Sequence, residues 1–123
     1  MKFEEFEPKT NNRFLVTFLN IDIPSFVVFK VRRPRLCEGK WTPMSFEMWD
    51  PIEKSTTRAL YDRPELIDLT LSLLTPVGEI TEEWRIKGKI SEINWGVLDW
   101  SNGDPVEIQV MMDIVECDLI IDN

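Results

Sequence analysis

Carboxylates are the one chemically active side chain this chain carries in quantity: 22 Asp and Glu stand against 14 Lys and Arg, and there is no histidine. Without an imidazole the commonest general base and the commonest metal ligand are missing, and a Ser or Cys nucleophile has nothing to activate it. Cys37 and Cys117 lie far apart with no CxxC spacing, so they form neither a zinc site nor a disulfide framework. They read as two buried or half-buried free thiols, with one long-range disulfide as the alternative. Asp99, Ser101, Asn102 and Asp104 resemble a calcium loop only superficially, because the required glycine and closing glutamate do not follow in register. A polar turn is the plainer reading. The five glycines are isolated and read as turns or bulges rather than as a phosphate-binding loop. No enzyme, no metal and no cofactor is expected.

The formal charge of −8 disfavours tight binding to a phosphate backbone, which needs clustered cations. It suits a wall past which nucleic acid slides without sticking, or simply a soluble surface. Lys30, Arg32, Arg33 and Arg35 form the only local positive patch, which reads as an ion-pairing surface for an acidic neighbouring subunit. The five tryptophans lack the interleaved basic residues of a base-stacking surface and read as core or interface. No apolar run reaches 18 residues, so no membrane partner is expected, and the acidic, proline-broken start does not look like a signal peptide.

The elements that would position these groups are mostly strands. At 14.5 kDa one domain is expected, as an N-terminal arm (residues 1–11) and a β domain (residues 12–123). Phe3 and Phe6 on the arm alternate with acids and suggest docking on another surface. Residues 13–21 form a first strand, with Phe14, Val16 and Phe18 on one face and Leu15 and Leu19 on the other. A second strand centres on residues 26–31, and a third region alternates Met44, Phe46 and Met48 against Ser45, Glu47 and Trp49. Residues 50–61 are the best helix candidate, with Asp50 as cap, Pro51 at the first position and Glu53 at the capping-box offset. Residues 66–74 and 80–86 make a hairpin around Gly78, and Gly88 marks a bend or bulge.

The last strand is unusual. Val106, Ile108, Val110, Met112 and Ile114 alternate with Glu107, Gln109, Met111 and Asp113, and then the pattern slips to Val115, Cys117, Leu119 and Ile121. A bulge near residues 114–115 keeps one face buried across the slip. Sixteen residues of strand reach about 53 Å, whereas a chain of this size is only about 30 Å across. The strand therefore bends round its own domain, continues into a neighbour's sheet, or both.

From residue 66 onward the order of elements resembles the tube proteins of contractile phage tails, a family that also resembles type VI secretion and extracellular injection tubes. The matching pieces are DLTLSLLTPVGEITEEWRIKG, an IKG-like strand end at Ile86, Lys87 and Gly88, an LDWDSN-like turn at residues 98–102, and the long final strand. More loosely, NRFLVTF and WTPMSFEMWDPIEKSTTRALYD resemble the family's first strand and its strand followed by a single helix. The resemblance implies a mainly β fold, an antiparallel sandwich or distorted barrel with one short flanking helix, assembling into hexameric rings that stack into a tube. It implies a structural role in a virion tail, in which the channel conducts DNA. A tube initiator, terminator, baseplate or neck adaptor, or a subunit of a related injection tube, is the alternative. Implied partners are further copies, the sheath, tape-measure and baseplate or neck proteins, and transiently passing DNA. Glu107, Gln109 and Asp113 would then face the lumen. Phe3, Phe6, Lys30, Arg32, Arg33, Arg35, Asp99 and Asp104 would contact adjoining rings.

Overall fold

The computed structural model describes residues 8–10 and 12–122. Eight strands and one helix follow in the order β1 (Phe14–Phe18), β2 (Val28–Val31), β3 (Leu36–Cys37), β4 (Lys40–Trp41), β5 (Met44–Trp49), α1 (Thr56–Tyr61), β6 (Ile67–Leu74), β7 (Ile80–Asn94) and β8 (Glu107–Asp122). Six of them form one sheet in the order β1-β6-β7-β8-β5-β2, every neighbouring pair antiparallel, while β3 and β4 make a separate small hairpin. The sheet rolls up on itself. Phe18 of β1 and Phe46 of β5, far apart in strand order, meet edge-to-face with centroids 6.1 Å apart. The result is a nearly closed barrel whose seam lies between the edge strands β1 and β2.

Alternation explains which face is inside. Met44, Phe46 and Met48 of β5, Ile67, Leu69 and Leu71 of β6, and Ile108, Val110 and Met112 of β8 are all essentially inaccessible. Their odd-numbered or even-numbered neighbours face out, as the pleat requires. Each such fully buried side chain contributes about 1.5–3 kcal/mol, so the roll is held chiefly by this apolar interior.

The helix departs from the sequence reading in its start. It begins at Thr56, not at residue 51, and its N-cap is Ser55, whose side chain accepts from the Arg58 amide at 3.1 Å. Pro51, Ile52 and Glu53 stay outside it, and Ile52 is 97% exposed. Asp50 still serves the helix from a distance: its carboxylate accepts from the amides of Thr56 and Thr57 and from the Thr57 hydroxyl. A cap several residues back in sequence satisfies the same orphan amides as an adjacent one, which is why position alone misplaced it. Thr56 and Leu60 face the core, and Leu60 is buried there. Among the described residues no helix is long and apolar enough to cross a membrane.

Three other readings change. The second strand starts at Val28, because Ser25–Val27 forms a 3-10 turn that leaves Phe26 exposed. The return strand does not stop near Ile86 but continues to Asn94, taking in Ile90 and Ile93. Both cysteines are free, yet Cys37 is exposed at the β3–β4 hairpin instead of buried. Cys117 is half-buried, and burial, with help from the Asp118 carboxylate, pushes its thiol up to about 11.

Candidate assembly interface

The β7–β8 ladder dominates the molecule, running from Glu82↔Asp122 to Asn94↔Gln109. Its register slips three times. Val115 and Ile120 are extra residues on β8, and Ser91 is an extra residue on β7. Val115 is the bulge that the slipped hydrophobic pattern demanded. It lies opposite the Lys87–Gly88 step, and glycine is required there: a Cβ on Gly88 would stand 2.5 Å from the Asp113 carbonyl oxygen. The bulge keeps Cys117, paired with the buried Ile86, on the core side after the slip, and sends Glu116 and Asp118 outward.

The ladder is only partly covered by its neighbours. Strand β5 pairs with residues 107–112 of β8, and β6 pairs with residues 80–88 of β7. Among the described residues, therefore, residues 113–122 of β8 and residues 89–94 of β7 each have one unpaired side. Val115, Leu119 and Ile120, all on the uncovered half of β8, are exposed. A row of unpaired amides and carbonyls beside exposed apolar side chains is a template for another strand.

The outward face of this ladder carries the three residues expected to line a lumen. Glu107, Gln109 and Asp113 are exposed on one side of β8, and the Gln109 amide donates to Glu47 Oε1 at 3.0 Å. Lys87 faces Glu116 at 3.9 Å on the same side, and Asp68 of β6 accepts two 2.8 Å hydrogen bonds from Arg85. The Arg85 guanidinium holds the Asp68 carboxyl below its ordinary range.

The basic segment at residues 30–35 is split. Lys30 turns to this outward face, 3.5 Å from Glu47, whereas Arg33 reaches the far end of the ladder. There Glu82, only 4% exposed, accepts from Arg33, from Lys9 at 2.8 Å and from the Trp84 indole at 2.6 Å, and Lys9 also reaches Asp122. Burial pushes the Glu82 carboxyl up, but the hydrogen bonds from Lys9, Trp84 and Arg33 outweigh it and leave it below the usual carboxylate range. Arg32 and Arg35 are exposed and hold no ion pair among the described residues. Phe3 and Phe6 lie outside the described residues.

Asp99 and Asp104 share the loop of residues 95–106 that joins β7 to β8. Hydrogen bonds from the hydroxyl and amide of Ser101 hold Asp99 below its ordinary pKa and close a local turn. Around them Val97, Leu98 and Trp100 stand out at 89%, 82% and 107% exposure. Sequence reasoning read the tryptophans as core or interface and did not single out this apolar tip. It also missed Glu82, two of whose partners, Lys9 and Arg33, come from distant parts of the chain. Among the described residues no cluster of three His, Cys, Asp or Glu could hold a metal ion.

No protein-family model matches the chain, and none of the curated protein sequences matches it. Solved structures do. A chain of the anti-feeding prophage baseplate superposes with a TM-score of 0.67 at 14% identity, covering 94% of this chain and 97% of its own. One of the PVC extracellular contractile injection system, in its extended sheath–tube complex, gives 0.65 at 17% identity over 98% of this chain and 99% of its own. The fold is that of contractile injection system components. A chain of the anti-feeding prophage tube-terminating cap shares it, with a TM-score of 0.64, 13% identity and 94% and 92% coverage. In each case nearly the whole of both chains is matched.

Proposed function

We propose that this chain is a ring-forming structural subunit of a contractile injection apparatus, placed in the tube or in a ring that starts, ends or adapts it. The observation that carries the reading is the uncovered half of β8. Residues 113–122 offer one free hydrogen-bonding side and the exposed Val115, Leu119 and Ile120, and the other uncovered stretch, on β7, lies diagonally across the same ladder. Two unlike edges on one subunit pair head-to-tail around a ring, and a closed ring leaves neither exposed. Support comes from full-length fold likeness to chains from a baseplate, a sheath–tube complex and a tube-terminating cap. In such a ring, taken as hexameric, the outward face of the ladder lines a channel with Glu107, Gln109 and Asp113, and its excess of carboxylates repels an anionic cargo such as DNA.

Purified protein examined by electron microscopy across concentrations tests this directly. Rings are expected, and a chain that stays monomeric at high concentration under all conditions defeats the reading. Open-ended tubes assign it to the tube proper. Isolated rings that grow only when a second protein is added assign it to a tube end or adaptor.

A further inference from the structure

The β3–β4 hairpin stands apart from the barrel sheet. It turns on Glu38 and Gly39, both at positive φ, and its pairing closes on itself, with the Thr42 amide donating to the Arg35 carbonyl at 2.9 Å. Of residues 36–41 all but Trp41 are exposed. A two-stranded hairpin this short has little stability of its own, so it keeps its place by what it rests on. That support is Trp84, whose indole meets the Trp41 indole edge-to-face with centroids 6.2 Å apart.

The Trp84 indole is itself tied down. Its Nε1 donates to Glu82 Oε2 at 2.6 Å, and the same carboxylate accepts from Arg33 Nη1 at 3.1 and 3.2 Å and from Lys9 Nζ at 2.8 Å. Lys9 also reaches Asp122 Oδ1 at 3.1 Å, so within the cluster two cations answer two carboxylates. A carboxylate as buried as Glu82 is tolerated only while its donors stay in place. With one donor gone, the remaining bonds must offset the same loss of solvent. The cluster therefore holds or lets go together. It gathers the segment before β1, the segment after β2, the hairpin through Trp84, and the last residue of β8. Lys9, Thr10 and Arg33 also complete the wall of a cavity of about 240 Å³ at the seam, whose apolar side includes Phe14, Val31 and Leu71.

We infer that Glu82 is the latch of a lid: residues 9–10, Arg33 and the β3–β4 hairpin are held shut as one unit and open together when any one tie is lost. Glu82 keeps its backbone pairing to Leu73 and Asp122 whichever way its side chain points, so the sheet stays folded while the lid opens. Closed, residues 9–10 and Arg33 shield the apolar side of the seam cavity. Open, they expose it, and the hairpin leaves Trp84. Local opening of this kind needs far less free energy than unfolding the barrel. The lid is a property of the single chain and stands apart from the ring reading.

Lys9 and Trp41 are joined through Glu82 and Trp84, which lets each report on the other. In the full chain, acetylation of the Lys9 amine by a succinimidyl ester is followed by mass spectrometry, with the exposed Lys89 as reference, and hydrogen exchange is followed at the Thr42 amide. Trp41→Ala should raise Lys9 labelling about tenfold, and Lys9→Ala should raise Thr42 exchange about tenfold, the change that loss of one charge-assisted hydrogen bond produces. Amides of β6, whose Leu69 and Leu71 lie in the core, should keep their exchange rates in both. Arg33→Gln, at an exposed side chain, covers the case in which either of those variants fails to fold, and it should raise both readouts together. A folded Trp41→Ala chain with Lys9 labelled at the native rate overturns the inference, and so does a Lys9→Ala chain with Thr42 exchange unchanged. Native Lys9 as reactive as Lys89 overturns it too, because the latch is then not closed. Faster exchange throughout β6 in Arg33→Gln also overturns it, since the cluster then belongs to the barrel's own folding unit and not to a lid.

Discussion

Strand β8 is two strands in one. Its first half, to Met112, lies between β5 and β7 and alternates perfectly: Ile108, Val110 and Met112 are buried, and Glu107, Gln109 and Met111 are not. Its second half, from Asp113, leans on β7 alone and has no fully buried residue. Both halves are equally rich in strand-formers, so intrinsic preference does not separate them. Neighbours do. The first half is finished by its own chain, and the second half, with Val115, Leu119 and Ile120 exposed, has surface still to cover.

The largest effect is expected where the two halves join. Gly88→Val would drive a Cβ into the Asp113 backbone carbonyl, which cannot rotate away as a side chain could. Either the bulge or the ladder must give, and a loss of more than about 3 kcal/mol is expected, in line with severe overpacking in a core. Chemical denaturation of the variant checks it; a midpoint within error of wild type would mean that the junction is not rigid.

A paired comparison sharpens the contrast between the halves. Met112→Ala should destabilise by about 2–5 kcal/mol, the usual cost of emptying a buried methionine site. Ile120→Asp, at a residue 58% exposed, should cost under about 0.5 kcal/mol in the isolated chain, yet abolish rings in electron micrographs. If both variants lose stability alike, the uncovered half belongs to the fold and not to assembly.

The smallest effect is acid dependence at the far end of the ladder. Glu82 and Asp68 both have carboxyls held below their ordinary values in the folded chain. A depressed folded pKa means that the stabilisation is complete above the unfolded value, about 4.3 for Glu and 3.9 for Asp, and is lost as pH falls through the folded one. Thermal melts should therefore drop below about pH 4. Glu82→Gln should flatten that drop while lowering stability near neutrality by about 1–3 kcal/mol, because Lys9 and Arg33 lose a charged partner. A Glu82→Gln chain with an unaltered acid limb would remove the cluster from the account.

Legibility in the sequence followed the range of the interactions. The mainly β architecture with a single helix, the β6–β7 hairpin and the slip in β8 were all readable, because each is written in alternation over neighbouring residues. Gly88 was read as a bend or bulge, and the bulge lies opposite it, at Val115. The helix start was not, since Asp50 caps Thr56 and Thr57 across an intervening loop. The true extent of β7 was hidden because Ser91 interrupts its alternation with an extra residue. Glu107, Gln109 and Asp113, read as lumen candidates, fell on a shared outward face through parity alone. The Glu82 cluster and the exposed tip at Trp100 depend on contacts, or their absence, across the whole fold, and no local pattern encodes them.

The extra residue at Val115 bears on how such a chain can vary. It sets the two halves of β8 half a period out of phase. Deleting that one residue would leave the composition almost untouched, yet Glu116 and Asp118 would turn inward and the half-buried Cys117 outward. A single-residue gain or loss here must therefore be compensated within the same strand if one face is to stay buried.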